Sequence, residues 1–213
     1  MLFNFPSLTD ILYSLPGILL ALSFHELAHG LVADMLGDPT ARRAGRLTMN
    51  PVAHIDIIGF LALLLAGFGW AKPVPVNPFL LKGNRRVGII AVSAAGPLAN
   101  LVLAIAGAIV YGAVAATGLG GPIIARMVYE LIWFNVILAV FNLIPIPPLD
   151  GSQILGALLP GSQEWLVKLQ PYGVVILIVL LFTGVFSSII GPPISLITRG
   201  LVNISYLVAN IVH

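Results

Sequence analysis

Apolar residues run along this chain in long blocks with few polar interruptions, and the blocks predict helices of membrane-spanning length. The first runs from about Leu8 to Leu36, with Ser7 and Thr9 offering caps at its start and Gly37 and Pro39 closing it. Others cover about Val87–Thr117, Ile123–Leu143 and Tyr172–Ile190. A turn at Gly191-Pro192-Pro193 leads into a last one ending near Ile211. A bilayer core needs roughly 20 apolar residues in a helix, so each block is long enough to cross. Residues 152–170 carry Glu164, Trp165 and Lys168 and read as a short interfacial helix. The stretch from 38 to 78 breaks the pattern. It is polar to Ile58, apolar from Gly59 to Gly69, and then carries Pro73, Pro75 and Pro78. The apolar part is too short to span as a helix, and the prolines require extended backbone. Residues 57–78 are therefore predicted to form a re-entrant extended or β loop, tolerated where protein or a wet cavity surrounds it.

Composition supports this class. Of 213 residues, 59% are hydrophobic and 8% charged, against about 25% charged in a soluble domain. The expectation is an all-α polytopic membrane protein of about five crossings, a single membrane-embedded domain over 1–213. No cleavable signal peptide is evident. The net charge of +2 is too small to suggest a nucleic-acid partner. There is no cysteine, so any metal must be held by His, Asp or Glu. With 57–78 re-entrant, Arg42, Arg43, Arg46, Lys72, Lys82, Arg85 and Arg86 share one side, and Lys168 joins them two crossings later. By the positive-inside rule that side is cytoplasmic, with the N-terminus outside and the C-terminus inside. The location expected is the cell membrane.

The candidate chemistry sits inside the first apolar block, at His25-Glu26-Leu27-Ala28-His29. Residues four apart share a helix face, so His25 and His29 can hold one metal ion, and Glu26 can reach a water on it. An ionisable group within an apolar helix is costly and points to function rather than to a chance match. The pair lies ~10–16 Å in from the cytoplasmic end of its helix. Zinc takes two imidazoles, a third protein ligand and a water. The candidates for the third ligand are Asp150, His54, Asp56, Glu130 and Glu164. Asp150 stands at the right depth in a Pro-Pro-Leu-Asp-Gly turn. Glu130 falls on the outer side and Glu164 at the interface. His54 and Asp56 lie in the polar loop, where they could orient ligands or simply fix the loop. Asn100 and Asn142 are lone amides in apolar helices. Either can act as interhelical glue, and Asn142 could instead donate to an oxyanion.

These segments resemble the site-2 protease family of intramembrane zinc metalloproteases. His25-Glu-Leu-Ala-His29 matches its first motif, and Asn142-Leu-Ile-Pro-Ile-Pro-Pro-Leu-Asp150-Gly151 matches Asn-x-x-Pro-x-Pro-x-x-Asp-Gly at every fixed position. Asn50-Pro-x-x-His-Ile-Asp56, Lys72-Pro-Val-Pro-Val-Asn-Pro78 and Ala95-Gly-Pro-Leu-Ala-Asn100 also look like family segments. The resemblance implies one Zn2+ on His25, His29 and Asp150, Glu26 as general base and Asn142 aiding the oxyanion. It implies a single-span membrane protein as substrate, cut near the cytoplasmic face in regulated intramembrane proteolysis. The chain is similar to minimal prokaryotic forms without PDZ or CBS domains.

Two rivals remain at the level of sequence. A catalytically silent zinc-binding adaptor or chaperone would have no need of Glu26. A metal transporter would be expected to show internal repeats, and none is visible. Hydrolysis also needs the substrate unwound. Trp70–Pro78, as an extended edge, is expected to pair with it through Val74 and Val76.

Overall fold

The computed structural model describes residues 7–66, 69–159 and 161–212. Helix α1 spans Leu8–Met35. A capping box opens it: Ser7 Oγ accepts from the Asp10 N–H and the Asp10 carboxylate from the Ser7 N–H, both at 3.1 Å. A short helix α2, Thr40–Arg43, and a 3-10 turn, Pro51–His54, lead to α3, Ile57–Ala66. Helix α4, Arg85–Thr117, is capped by the Asn84 side chain and stopped by Gly118 at φ 65°. Then come α5, Gly121–Asn142; α6, Asp150–Leu158; α7, Ser162–Leu169; α8, Gly173–Thr183; and α9, Val185–Val212. Five stretches are long and apolar enough to cross a membrane: Leu8–Met35, Arg85–Thr117, Gly121–Asn142, Glu164–Thr183 and Ser188–Val212. The protein is an all-α polytopic membrane protein.

Two boundaries differ from those predicted. The fourth crossing begins at Glu164, because α7 runs through a 3-10 turn, Gln170–Tyr172, straight into α8. The part of the expected interfacial segment that carries Glu164, Trp165 and Lys168 therefore belongs to that crossing, and α6 is a separate helix. The turn into the last crossing lies at Gly184, at φ 73°, rather than at Gly191-Pro192-Pro193. Pro192 and Pro193 lie inside α9. Proline fixes φ at a helical value and only removes an N–H, a loss that membrane helices tolerate, whereas the left-handed backbone at Gly184 cannot continue a helix.

The expected extended or β loop over 57–78 is corrected in its first half: Ile57–Ala66, a run of apolar residues without proline, forms helix α3, and only 69–78, where the prolines stand, is extended; residues 67 and 68 lie outside the described residues. Its ends meet in an antiparallel bridge between Ile55 and Ala71, and the Lys72 N–H donates to the His54 carbonyl at 2.9 Å. Entry and exit are thus on one side, which keeps the seven basic residues from Arg42 to Arg86 together. A β-carbon on Gly59 would lie 2.2 Å from the Trp70 carbonyl oxygen, so the hairpin closes only over glycine.

Helix α4 is the axis of the bundle and packs against α1, α5, α6 and α9. Small residues set the spacing, since dispersion rather than the hydrophobic effect drives helix association in lipid. Added β-carbons would meet the Leu131 Cα at 2.9 Å from Gly17 and the Ser205 carbonyl oxygen at 2.4 Å from Gly112. The Ser205 hydroxyl ties α9 to α4 by donating to the Ala108 carbonyl at 2.9 Å. Ala104, Ala108, Ile132, Val136, Leu177, Ile190, Ile194 and Leu201 fill the core.

Gly59→Val should destabilise the detergent-solubilised protein by about 1–3 kcal/mol, the scale of overpacking, read as a lower thermal midpoint. Gly200→Ala, in α9 with open space around it, should leave the midpoint unchanged or raise it.

Candidate metal centre

Helical spacing puts His25 and His29 on one face of α1, both buried, with their Nε2 atoms 3.0 Å apart. Asp150 comes to them from the first turn of α6. Its Oδ2 lies 3.2 Å from His25 Nε2 and 3.3 Å from His29 Nε2. Ligands about 2.0–2.1 Å from a tetrahedral zinc stand about 3.3–3.4 Å apart, so the triangle has the right size. Its chemistry fits too. The Val92 carbonyl can only accept, so His29 Nδ1, 2.6 Å from it, carries the proton and Nε2 presents a lone pair. The Asn100 amide donates through Nδ2 to the Ala21 carbonyl at 3.0 Å, which turns its Oδ1 toward His25 Nδ1 at 2.7 Å. His25 Nδ1 is then the protonated nitrogen, and its Nε2 is bare as well. Asp150 Oδ2 is buried with no hydrogen-bond donor. Three acceptors converge in an apolar bundle, an arrangement that calls for a cation.

Two features make room for the triangle. Gly96 faces the imidazoles across α4, where a β-carbon would lie 2.4 Å from His29 Nε2 and 2.7 Å from His25 Nε2. Asn100, one turn further, is fully buried and also donates to Asn135 Oδ1 at 2.8 Å, while Asn135 donates to the Leu131 carbonyl at 2.8 Å. A relay of two buried amides thus fixes the ring of His25. In the sequence Asn100 looks like ordinary interhelical glue, and Asn135 draws no notice at all.

Glu26 lies beside the pair, and its Oε2 accepts from the Val74 N–H at 2.7 Å. The extended limb is pinned at its far end by Asp38, which accepts from the Asn77 N–H at 2.6 Å and from the Thr40 N–H at 3.0 Å. Burial works to raise the pKa of Asp38, but these bonds, with one from the Thr40 hydroxyl, outweigh it and hold the carboxyl below the usual range. Gly30 lets the limb lie close to α1: a β-carbon there would meet Leu47 at 2.6 Å and Val74 at 3.1 Å. The expectation that Val74 pairs with substrate is corrected here, since its N–H is already taken by Glu26.

The other candidate ligands are elsewhere. His54 is buried 2.8 Å from the Thr48 carbonyl, Asp56 caps α3 by accepting from the Gly59 N–H at 2.8 Å, and Glu130 lies 3.7 Å from Arg126. Glu164 is exposed on α7. Among the described residues, His25, His29 and Asp150 are the group that could hold a metal ion. Asn142 ends α5, lines the cavity over the triangle, and donates to the Leu138 carbonyl at 3.0 Å, which leaves its second N–H uncommitted. That cavity, about 790 Å³, is also lined by Glu26, Trp70, Val76, Phe141 and Gln153.

Residues 107–184 match the sequence profile of Peptidase family M50. The chain is 39% identical over 183 residues to "Putative zinc metalloprotease YwhC" of Bacillus subtilis, covering 82% of each chain. It is 30% identical to Rip2 of Mycolicibacterium smegmatis and 31% identical to Rip2 of Mycobacterium tuberculosis, proteins given the same description; the aligned parts are 78% and 77% of this chain and 65% and 64% of theirs. No solved structure matches.

Asn100→Leu should weaken zinc binding by about 10–100-fold, the usual cost of losing a hydrogen bond that orients a ligand, measured by competition with a chelator. Asn135→Leu should cost less. Gly96→Ala should bind no zinc while remaining helical by circular dichroism.

Proposed function

The chain belongs to peptidase family M50, the site-2 proteases, and from that footing we propose that it cuts transmembrane segments of single-span membrane proteins near the cytoplasmic face. It is a multi-pass membrane zinc metalloprotease, and its substrates are proteins. The observation that carries the finer reading is the depth of the metal-ligand triangle. His29 and His25 lie six and ten residues before the end of α1 at Met35, ~9–15 Å into the membrane. A peptide bond brought there belongs to a membrane segment.

In this reading His25, His29 and Asp150 would hold the zinc, and the chemistry it would supply there is that of a Lewis acid toward the scissile carbonyl and toward a water. Glu26 takes the proton from that water and passes it to the leaving amine. The Val74 N–H keeps the Glu26 carboxylate turned into the cavity. Asn142 directs its free N–H at the oxygen of the tetrahedral intermediate. The apolar wall formed by Trp70, Leu138 and Phe141 receives the substrate's side chains. Val76, whose N–H has no hydrogen bond among the described residues and which lines the same cavity, offers a backbone donor to an extended substrate. With the basic residues of the 42–86 segment cytoplasmic, the N-terminus lies outside and the C-terminus inside. Cleavage on that side releases a cytoplasmic domain, the outcome on which regulated proteolysis depends.

Incubation of the purified protein with a panel of single-span peptides should give cuts within the spanning segment that a zinc chelator abolishes. Cuts confined to soluble loops would contradict the reading. Glu26→Gln should keep its zinc and lose activity by ~10²-fold or more, whereas Asp150→Ala should lose the zinc itself. Val76→Pro should depress cleavage with zinc retained.

A further inference from the structure

Helix α9 carries a polar stripe that nothing among the described residues covers. Ser195, Arg199 and Asn203 are spaced four apart, so they share one face, and all three are exposed. The opposite face is the packed one, where Ile194, Leu201 and Ser205 are buried against the bundle. Arg199 stands eleven residues after Ser188 and thirteen before Val212 in the last crossing, ~16–20 Å from either end. In a hydrocarbon layer roughly 30 Å thick that is near mid-depth, where a snorkelling side chain is far from both surfaces. Among the described residues Arg199 has no ion pair, hydrogen bond or ring contact. A cation at that depth ordinarily faces a partner or an aqueous path.

The stripe borders a groove of about 750 Å³ between α5, α8 and α9, floored by Trp133, Ile137, Leu181 and Ile194. Thr198 lies on its wall with a buried hydroxyl that has no hydrogen-bond partner among the described residues. The groove shares no lining residue with the cavity at the metal centre. It combines an apolar floor, an unmatched hydroxyl and an unpaired guanidinium. The missing complement is a carboxylate carried at mid-depth on an apolar rod.

The described residues do not offer that complement near mid-depth. Asp10 is engaged by Arg126, Asp34 by Arg42 and Glu26 by the Val74 N–H, while the exposed Glu164 stands at the very start of its crossing. Glu130 contacts Arg126 and its side chain is only 20% exposed. A second copy would therefore set Arg199 against a surface without a free acid near mid-depth, and a two-fold pairing of the α9 stripes would oppose two arginines.

We propose that the α5–α8–α9 groove is a docking surface for a membrane-spanning helix of another protein that carries an aspartate or glutamate near mid-depth. The guanidinium offers the carboxylate a two-pronged, charge-assisted contact, and Ser195, Thr198 and Asn203 add hydrogen-bonding groups along the same face.

The test uses the full chain, donor-labelled, in vesicles of phosphatidylcholine alone. Acceptor-labelled model peptides are added: an apolar single-span helix with one central Glu, the same helix with Leu there, and one with the Glu moved two turns toward an end. Energy transfer should report binding of the central-Glu helix about tenfold tighter than the other two, the scale of an interhelical polar contact. Arg199→Gln should erase that preference and Arg199→Lys restore part of it, with zinc content and cleavage of a short peptide in detergent unchanged in both. Equal binding of the three helices, or a preference that survives Arg199→Gln, would overturn the proposal. So would energy transfer between two copies of the chain that depends on Arg199. A Glu preference seen only when anionic lipid is added would overturn it too, since Arg199 would then serve lipid headgroups.

Discussion

Three acceptor atoms aimed at one another inside an apolar bundle form the constraint on which the rest of this molecule depends. His25 Nε2, His29 Nε2 and Asp150 Oδ2 stand 3.0–3.3 Å apart. With no cation the lone pairs repel, and burial denies them water. With a divalent ion the same geometry is an attractive site. Much of the nearby packing makes sense as support for that geometry. The Val92 carbonyl and the Asn100 amide fix the protons on the far ring nitrogens, Gly96 clears the space in front of the rings, and the tight turn before Asp150 delivers the carboxylate. A β-carbon on Gly151 would lie 2.2 Å from the Leu143 carbonyl oxygen, which shows how closely that turn folds back on the end of α5.

The extended limb from 69 to 78 joins this centre to the membrane surface. Bare backbone polar groups are costly at that depth, and two carboxylates, Glu26 and Asp38, answer for two of its N–H groups, those of Val74 and Asn77. One of them is the proposed general base. The fold requirement and the catalytic requirement thus meet at a single hydrogen bond. It orients Glu26 and ties the limb over the cavity into which substrate would enter.

Sequence reading went far because the strongest signals are physical ones. Blocks of apolar residues have one solution in a bilayer, and a His-Glu-x-x-His spacing has one face on a helix. The Asn-x-x-Pro-x-Pro-x-x-Asp-Gly pattern pointed to Asp150, and the structure brings that residue, not His54, Asp56, Glu130 or Glu164, to the imidazoles. The misses are equally physical. A single glycine outweighed two prolines at the turn before α9, because a left-handed φ stops a helix whereas a proline in lipid only thins its hydrogen bonding. The engagement of Val74 by Glu26, forty-eight residues away, and the pairing of Asn100 with Asn135 depend on long-range packing that no local pattern encodes. In the sequence Arg199 reads as a charge early in the last helix, on the side opposite the basic cluster; it lies near mid-depth instead because α9 runs from Val185 through Pro192 and Pro193.

The account stands on the identity of the metal's protein ligands, and X-ray absorption at the zinc edge of the purified protein reads them most directly. The predicted spectrum has no sulfur and fits two imidazoles, with nitrogens at about 2.0–2.1 Å, plus oxygen ligands at about 2.0–2.2 Å. A fit requiring three imidazoles would bring a further histidine such as His54 to the metal, and would contradict the site built on His25, His29 and Asp150.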